Sequence, residues 1–524
     1  MRADRRHPAC VFVISVGLLA IFTLSLALTS SAQRTAQGPV ITTTARNAAL
    51  VAATQEVLKE TSEIRQLSIM NPVPSSTQSR AEIERMLIKN LNEETTPAQI
   101  QATEVTLKKL GLVPGDFQYR ALMIRLLTEQ VAGYYDPKMR EFHLADWIDL
   151  DAQKPVIAHE LTHALQDQHF NLRRFEHWPK GDSDAELAAH ALIEGDATLA
   201  MSFYVLKNPL RALAFLRSLG GAGMKSEELD KAPRALRETL LFPYQEGLMW
   251  TRRLYGQGGW EQVSKAFTEL PQSTEQVLHP EKYFAREAPV KFNLPDLTPL
   301  LNGRRQRAAG SPAGSPTESP TGSADVLRPF RRTGVPPVSG YSFAGSADVP
   351  SALSAQRESV WTPAIRRRFG QLTAHRSPPA VGWRRLDSDV NGEWGFYLIL
   401  DQFLKSPAES RRAAAGWDGD RYAVYEGPKG EVLFVCLSTW DTENDAREFF
   451  DAYVKRTELR YPGAERLASA APRSSVPGAG AITQVRWRTS EGMVVIELRR
   501  SRVLAIEGSY GPVSERMLMR SLWQ

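Results

Sequence analysis

The chain has 524 residues, room for about two to four domains each with its own buried core, and its 42% hydrophobic and 23% charged residues are ordinary globular values. That excludes a peptide or a fibre. The net charge of +5 is modest, and basic clusters such as Arg304, Arg305, Arg307 and Arg366 to Arg368 lie in or near low-complexity sequence, which argues against nucleic-acid binding.

Residues 1–32 read as an export signal: Arg2, Arg5 and Arg6 precede an apolar run from Ala9 to Leu28, and Ser30-Ser31-Ala32 offers small residues for cleavage after Ala32. Uncleaved, residues 9–28 are long enough to span a bilayer, so a signal anchor is the alternative. The chain is therefore expected to be exported, periplasmic or extracellular, and to meet a membrane only if this segment is kept. Cys10 sits at the start of the apolar run, which does not fit a lipoprotein site. Cleavage would leave Cys436 as the one cysteine, with no internal disulfide.

From Ala45 to about Val131, apolar residues recur at helical spacing in ALVAATQEVL, IERMLIKNL and YRALMIRLL, predicting three or four helices. VAGYYDPKMREFHLAD follows, with aromatic and β-favouring residues around an Asp136-Pro137 turn signal, and reads as a strand or hairpin. Helices then resume through about residue 270.

The first of these is PVIAHELTHALQDQHF, where Pro155 suits the opening turn of a helix. His159 and His163 are four residues apart, so they share one helix face and both imidazoles can reach one metal ion. Glu160 stands beside them, where a carboxylate can take the proton of a water activated by zinc. An accidental HExxH is the competing explanation, so the pattern needs a third ligand. In SDAELAAHALIEGDATLAMSFYVL a second long helix is predicted, opened by Ser183 with Glu186 as a capping box. Glu194 falls in its middle among Ala191, Leu192, Ile193, Ala197 and Leu199, and a carboxylate buried there needs a partner that a metal would supply.

HELTH followed by ALIEGDAT resembles the gluzincin group of zinc metallopeptidases, over roughly residues 45 to 300. The resemblance implies His159, His163 and Glu194 as zinc ligands, Glu160 as general base, an open fourth position, and a peptide or protein substrate. Some gluzincins place an aspartate four residues after the third ligand to orient a ligand histidine. Thr198 stands there in this chain, so Asp196 or Asp167 is expected to take that part. His190, one turn before Glu194, is a further residue able to approach the metal. The hairpin precedes the motif helix, where zinc peptidases run an edge strand along the substrate. Downstream, Tyr244 and His279 lie where related enzymes carry donors that steady the oxyanion. His143, His169, His177 and His375 lack metal-pair spacing and are expected to serve surface or packing roles.

Between Asn302 and about Ser359 the sequence loses periodicity and becomes rich in Gly, Ser, Pro and Arg, with GSADV at 322–326 and 345–349, as in a low-complexity linker. Beyond it RYAVYE, EVLFVCLSTW, ITQVRWRTS, MVVIELRR and RVLAIEGS predict strands, and DTENDAREFFDAYVKR predicts a helix capped by Asp441 or Thr442. Cys436, in an apolar strand, is expected in the core. The fold class expected is α+β: a helix-rich zincin-like metallopeptidase domain with a small edge sheet over 45–300, a linker over 303–359, and a C-terminal α+β domain over 360–524. A non-catalytic zincin scaffold with a closed zinc site is the alternative function, although it leaves Glu160 without a purpose.

Overall fold

The computed structural model describes residues 43–130, 133–147, 150, 153–178, 181–213, 227–303, 382–468, 482–511 and 513–524. The N-terminal segment and nearly all of the expected linker therefore lie outside the described residues. The architecture is mixed α+β, with helices and two separate sheets.

Helix α1 (Thr43–Arg65) leads into the short strand β1 (Ser75–Gln78), then α2 (Arg80–Glu94), α3 (Pro97–Leu110) and α4 (Tyr119–Gln130). Thr96 and Gln99 form a reciprocal capping box at the start of α3, and Gly111 ends it in the left-handed region at φ 72°. Strands β2 (Gly133–Asp136) and β3 (Glu141–Ala145) form the expected hairpin, its turn fixed by Asp136 Oδ1 accepting from the Lys138 and Met139 amides at 2.7 and 3.1 Å. β1 pairs parallel with β3, giving a three-stranded sheet of order β1-β3-β2, so β2 runs along an edge. SSTQ has no apolar alternation to mark it as a strand; its strand character comes from pairing with β3.

Helix α5 (Lys154–Phe170) carries HELTH and is buried almost continuously from Ile157 to Asp167. A 3₁₀ turn (Leu172–His177) links it to α6 (Ser183–Leu206). The N-cap of α6 is Asp182, one residue before the expected Ser183. Ser183 instead donates its amide to Asp389 Oδ1 at 2.8 Å, a partner far along the chain that displaces the local capping box. Next come α7 (Glu227–Lys231), the long α8 (Arg234–Ala266), α9 (Thr274–Leu278), α10 (Pro280–Ala285) and α11 (Thr298–Leu301). Gly258 and Gly259 interrupt α8 with non-helical dihedrals.

After residue 381 the chain forms β4 (Arg384–Asp389), α12 (Gly392–Leu404), α13 (Pro407–Ala414), β5 (Trp417–Glu426), β6 (Val432–Trp440), α14 (Glu443–Arg460), β7 (Glu465–Leu467), β8 (Ile482–Thr489), β9 (Gly492–Arg499), β10 (Arg502–Gly508) and α15 (Glu515–Leu522). Thr442 is the cap of α14, accepting from the Asp445 amide. The strands make an antiparallel sheet of order β4-β5-β6-β10-β9-β8-β7. Period-two alternation divides its two faces. Val424, Phe434, Cys436, Ile496 and Ala505 pack into the main core, while Tyr425, Leu433, Val435, Val495 and Ile506 pack on the other side with Leu518 and Leu522 of α15.

The main core is continuous through both parts of the chain: Ala188 and Leu192 of α6 and Phe242 of α8 belong to one cluster with Trp394 of α12 and Trp440 of β6. Phe242 and Trp394 pack with ring centroids 4.8 Å apart and planes tilted by 47°. Among the described residues no helix is long and apolar enough to cross a membrane.

Candidate metal centre

The pairing of α5 with α6 decides where the titratable side chains meet. His159 and His163 leave α5 one turn apart with ring centroids 4.8 Å from each other, nearly perpendicular at 88°. Glu194 comes from the middle of α6. His159 Nε2 lies 3.2 Å from Glu194 Oε2, His163 Nε2 lies 3.4 Å from the same oxygen, and the two Nε2 atoms are 3.2 Å apart. Among the described residues these three form the one group of His, Cys, Asp and Glu that could hold a metal ion, and all three are buried.

Two ring nitrogens and a carboxylate oxygen in mutual contact repel as lone pairs, so the arrangement needs a proton or a cation among them. The electrostatics show that need. Burial works against charge on both groups, yet the Glu194 carboxylate outweighs it and pushes His163 up to about 9, while His163 and His159 hold Glu194 down to about 2. Two imidazoles and a carboxylate are also a donor set that suits zinc.

Glu160 is 1% exposed. The backbone amide of Tyr135, on edge strand β2, donates to its Oε2 at 3.1 Å, while Oε1 has no hydrogen-bond partner among the described residues. Burial raises the carboxyl above its usual range, and His163 and His159 pull the other way. A buried carboxylate with one oxygen clamped and the other unpartnered is suited to exchanging a proton.

Tyr244 joins this group from α8. Its ring lies 6.3 Å from that of His159, and its hydroxyl, pushed well above the usual phenol range by burial, with Glu194 and Glu160 adding to the effect, hydrogen-bonds Glu194. A close approach of backbones brings it there: a Cβ on Gly247 would collide with the Ala191 carbonyl, and one on Gly195 would collide with Gly247. Gly195 neighbours Glu194, so the same contact sets the reach of Tyr244. Gly247→Ala is expected to force α6 and α8 apart, costing about 1–3 kcal/mol. Thermal denaturation reads that cost, and a melting temperature equal to wild type would contradict so tight an approach.

His279 is placed elsewhere. It follows α9, 32% exposed at the side chain, with Nε2 3.0 Å from Glu393 Oε1 of α12. Thr274 at the start of α9 bonds Asp184 near the opening of α6, about 15 Å of helix rise from Glu194. The structure therefore joins His279 to the α12 contact and does not bring it to the triad. His190 is half-buried one turn before Glu194, with its pKa lowered by burial and Glu194 opposing the shift, and it stands outside the donor group.

The two candidate aspartates divide the supporting contacts. Asp167 accepts from the Tyr135 hydroxyl at 3.0 Å and from the Leu172 amide at 2.9 Å, so it braces the strand residue whose amide holds Glu160. Asp196 reaches His163 through an intermediary: His163 Nδ1 and Gln166 Oε1 are 2.9 Å apart, and Gln166 Nε2 donates to Asp196 Oδ2 at 2.9 Å. Sequence reasoning missed Gln166, although its position three residues after His163 put it on the same face. It also missed Arg65, whose Nε donates to Asp196 Oδ1 at 2.5 Å and for which no local signal exists.

A family profile described as a domain of unknown function (DUF8575) matches residues 370–509, in the C-terminal part. No curated protein matches the chain. A crystal structure from Chloroflexus aurantiacus, described as "a putative hydrolase with a novel fold", is similar at 15% identity and a TM-score of 0.29, covering 52% of this chain and 96% of its own.

Proposed function

We propose that this chain is an exported zinc-dependent peptidase of the gluzincin type. The observation that carries the reading is the unpartnered Oε1 of buried Glu160 beside the converging donors of His159, His163 and Glu194. Those three residues would hold the ion, and zinc so held supplies Lewis acidity toward a carbonyl oxygen and toward water. Glu160 takes the proton of the attacking water at Oε1 and later delivers it to the leaving amine, so its charge is restored at the end of each cycle. The Tyr244 hydroxyl is the donor for the oxyanion, a contribution of about 2.7–4 kcal/mol in comparable sites. Edge strand β2, whose Tyr135 amide already touches Glu160, offers a backbone beside which an extended peptide can lie. Export is supported by the basic, apolar and small-residue order of residues 1–32.

Metal analysis combined with casein and peptide-library digestion tests the reading. The expected result is about one zinc per chain, cleavage abolished by a chelator, and recovery on adding zinc back. Bound zinc with no cleavage of any peptide would overturn it, since a scaffold with a closed structural zinc gives that result.

A further inference from the structure

Resting on the zinc reading above, we propose that Gln166, held by Asp196 and Arg65, is a positioning residue that fixes which nitrogen of His163 faces the metal. The affinity of the site then depends on Arg65, the last residue of α1, which touches none of the ligands.

Gln166 Nε2 carries two hydrogens, and it has two acceptors: the Ile193 carbonyl at 3.0 Å and Asp196 Oδ2 at 2.9 Å. Turning the amide over would set its oxygen against both acceptors, so its orientation is determined by its neighbours. Oε1 is therefore the atom facing His163 Nδ1 at 2.9 Å, and an amide oxygen can only accept. Nδ1 must carry the hydrogen. The ring is thereby committed to present Nε2 toward His159 and Glu194, where both contacts are seen.

Asp196 is held in turn by Arg65, which pairs with it at 2.5 Å, both side chains being fully buried. Arg65 is in turn braced by Ser264 Oγ at 3.1 Å and by the Trp260 ring at 4.6 Å, both on α8. Gln166 of α5, which touches the ring nitrogen, is thus backed in sequence by Asp196 of α6, Arg65 of α1, and Ser264 and Trp260 of α8. A buried ion pair carries a large desolvation penalty and is a poor device for stability alone, and orienting a ligand is a use that accounts for it.

The test uses full-length protein with 15N-labelled histidine. In the metal-free wild type, the His163 Nδ1 proton is expected as a resonance protected from solvent exchange, whatever the charge on the ring. In Gln166→Met, a substitution of similar shape, that protection is lost and the zinc Kd, measured by chelator competition, rises about 10- to 100-fold. Asp196→Asn, which can donate to Gln166 and free the amide, is expected to move both readouts the same way and serves if Gln166→Met does not fold. An Nδ1 proton as protected as wild type, with zinc affinity within about twofold, in either folded variant overturns the inference. Because the proton is read without metal, a wild type that binds no zinc would refute the peptidase reading while leaving this measurement intact.

Discussion

Glu160→Gln is expected to keep its zinc and lose its turnover. The amide has the shape of the carboxylate and can still accept the Tyr135 amide, which now bonds Oε2 at 3.1 Å, so the local packing has little reason to change. What it cannot do is receive a proton from water or return one to an amine. General acid-base catalysis contributes about 10²- to 10⁴-fold, and kcat for peptide hydrolysis should fall by that range while the metal content stays at the wild-type value. Glu160 is not one of the three converging donors, so the metal content and the rate should separate in this variant and fall together in His159→Ala or Glu194→Ala. A Glu160→Gln protein that loses its zinc, or one that hydrolyses peptides within about threefold of wild type, would remove Glu160 from the role assigned to it.

The difference between what could be read from the chain and what could not follows the range of each interaction. His159, Glu160 and His163 were legible because one helical turn sets their geometry. Glu194 was legible because a carboxylate in an apolar helix raises the question of its partner, and α5 answers it with His159 at 3.2 Å. Tyr244 is different: its residue type allowed the role, but its position depends on two glycines that let α6 and α8 touch, a contact between residues far apart in sequence. His279 shows the converse. It had the right residue type and order, yet its nearest carboxylate, Glu393, belongs to a helix beyond the low-complexity stretch, where no local pattern points back to it. Strands β1 and β4 were missed for one reason: SSTQ and RRLDSD lie at sheet edges, where half-exposed polar residues carry little alternation.

The largest stability effect is expected where the N-terminal helices meet the C-terminal sheet. Arg456 of α14 and Glu507 of β10 are both fully buried and 2.6 Å apart. Arg456 also donates to the carbonyl of Leu110, the last residue of α3, and so closes the end of a helix from the N-terminal part of the chain. Arg460 at 3.0 Å and the Tyr453 hydroxyl at 2.5 Å complete the partners of Glu507. Arg456→Met would leave that carboxylate short of its nearest cation and the Leu110 carbonyl short of a donor, a loss of about 3–5 kcal/mol. Arg456→Met combined with Glu507→Leu should recover much of it, because the buried carboxylate is gone and Arg460 keeps its pairing with Glu491 at 3.2 Å. Burial opposes ionisation of Glu507, but Arg456 and Arg460 outweigh it and hold the carboxyl at about 2, against an ordinary value of 4.5. A carboxyl depressed by folding binds fewer protons in the native state than in the unfolded one. Its contribution is therefore complete above the unfolded value and disappears as pH falls from 4.5 toward 2. Removing Arg456 should shrink that acid-dependent part along with the total, so the wild type and the variant should draw closer in stability as pH falls through this window. Denaturant unfolding followed by tryptophan fluorescence at neutral and acid pH measures both quantities. A single variant within about 1 kcal/mol of wild type at neutral pH would mean that Arg460 and Tyr453 suffice, and that the contact to Leu110 contributes little to joining the two parts of the chain.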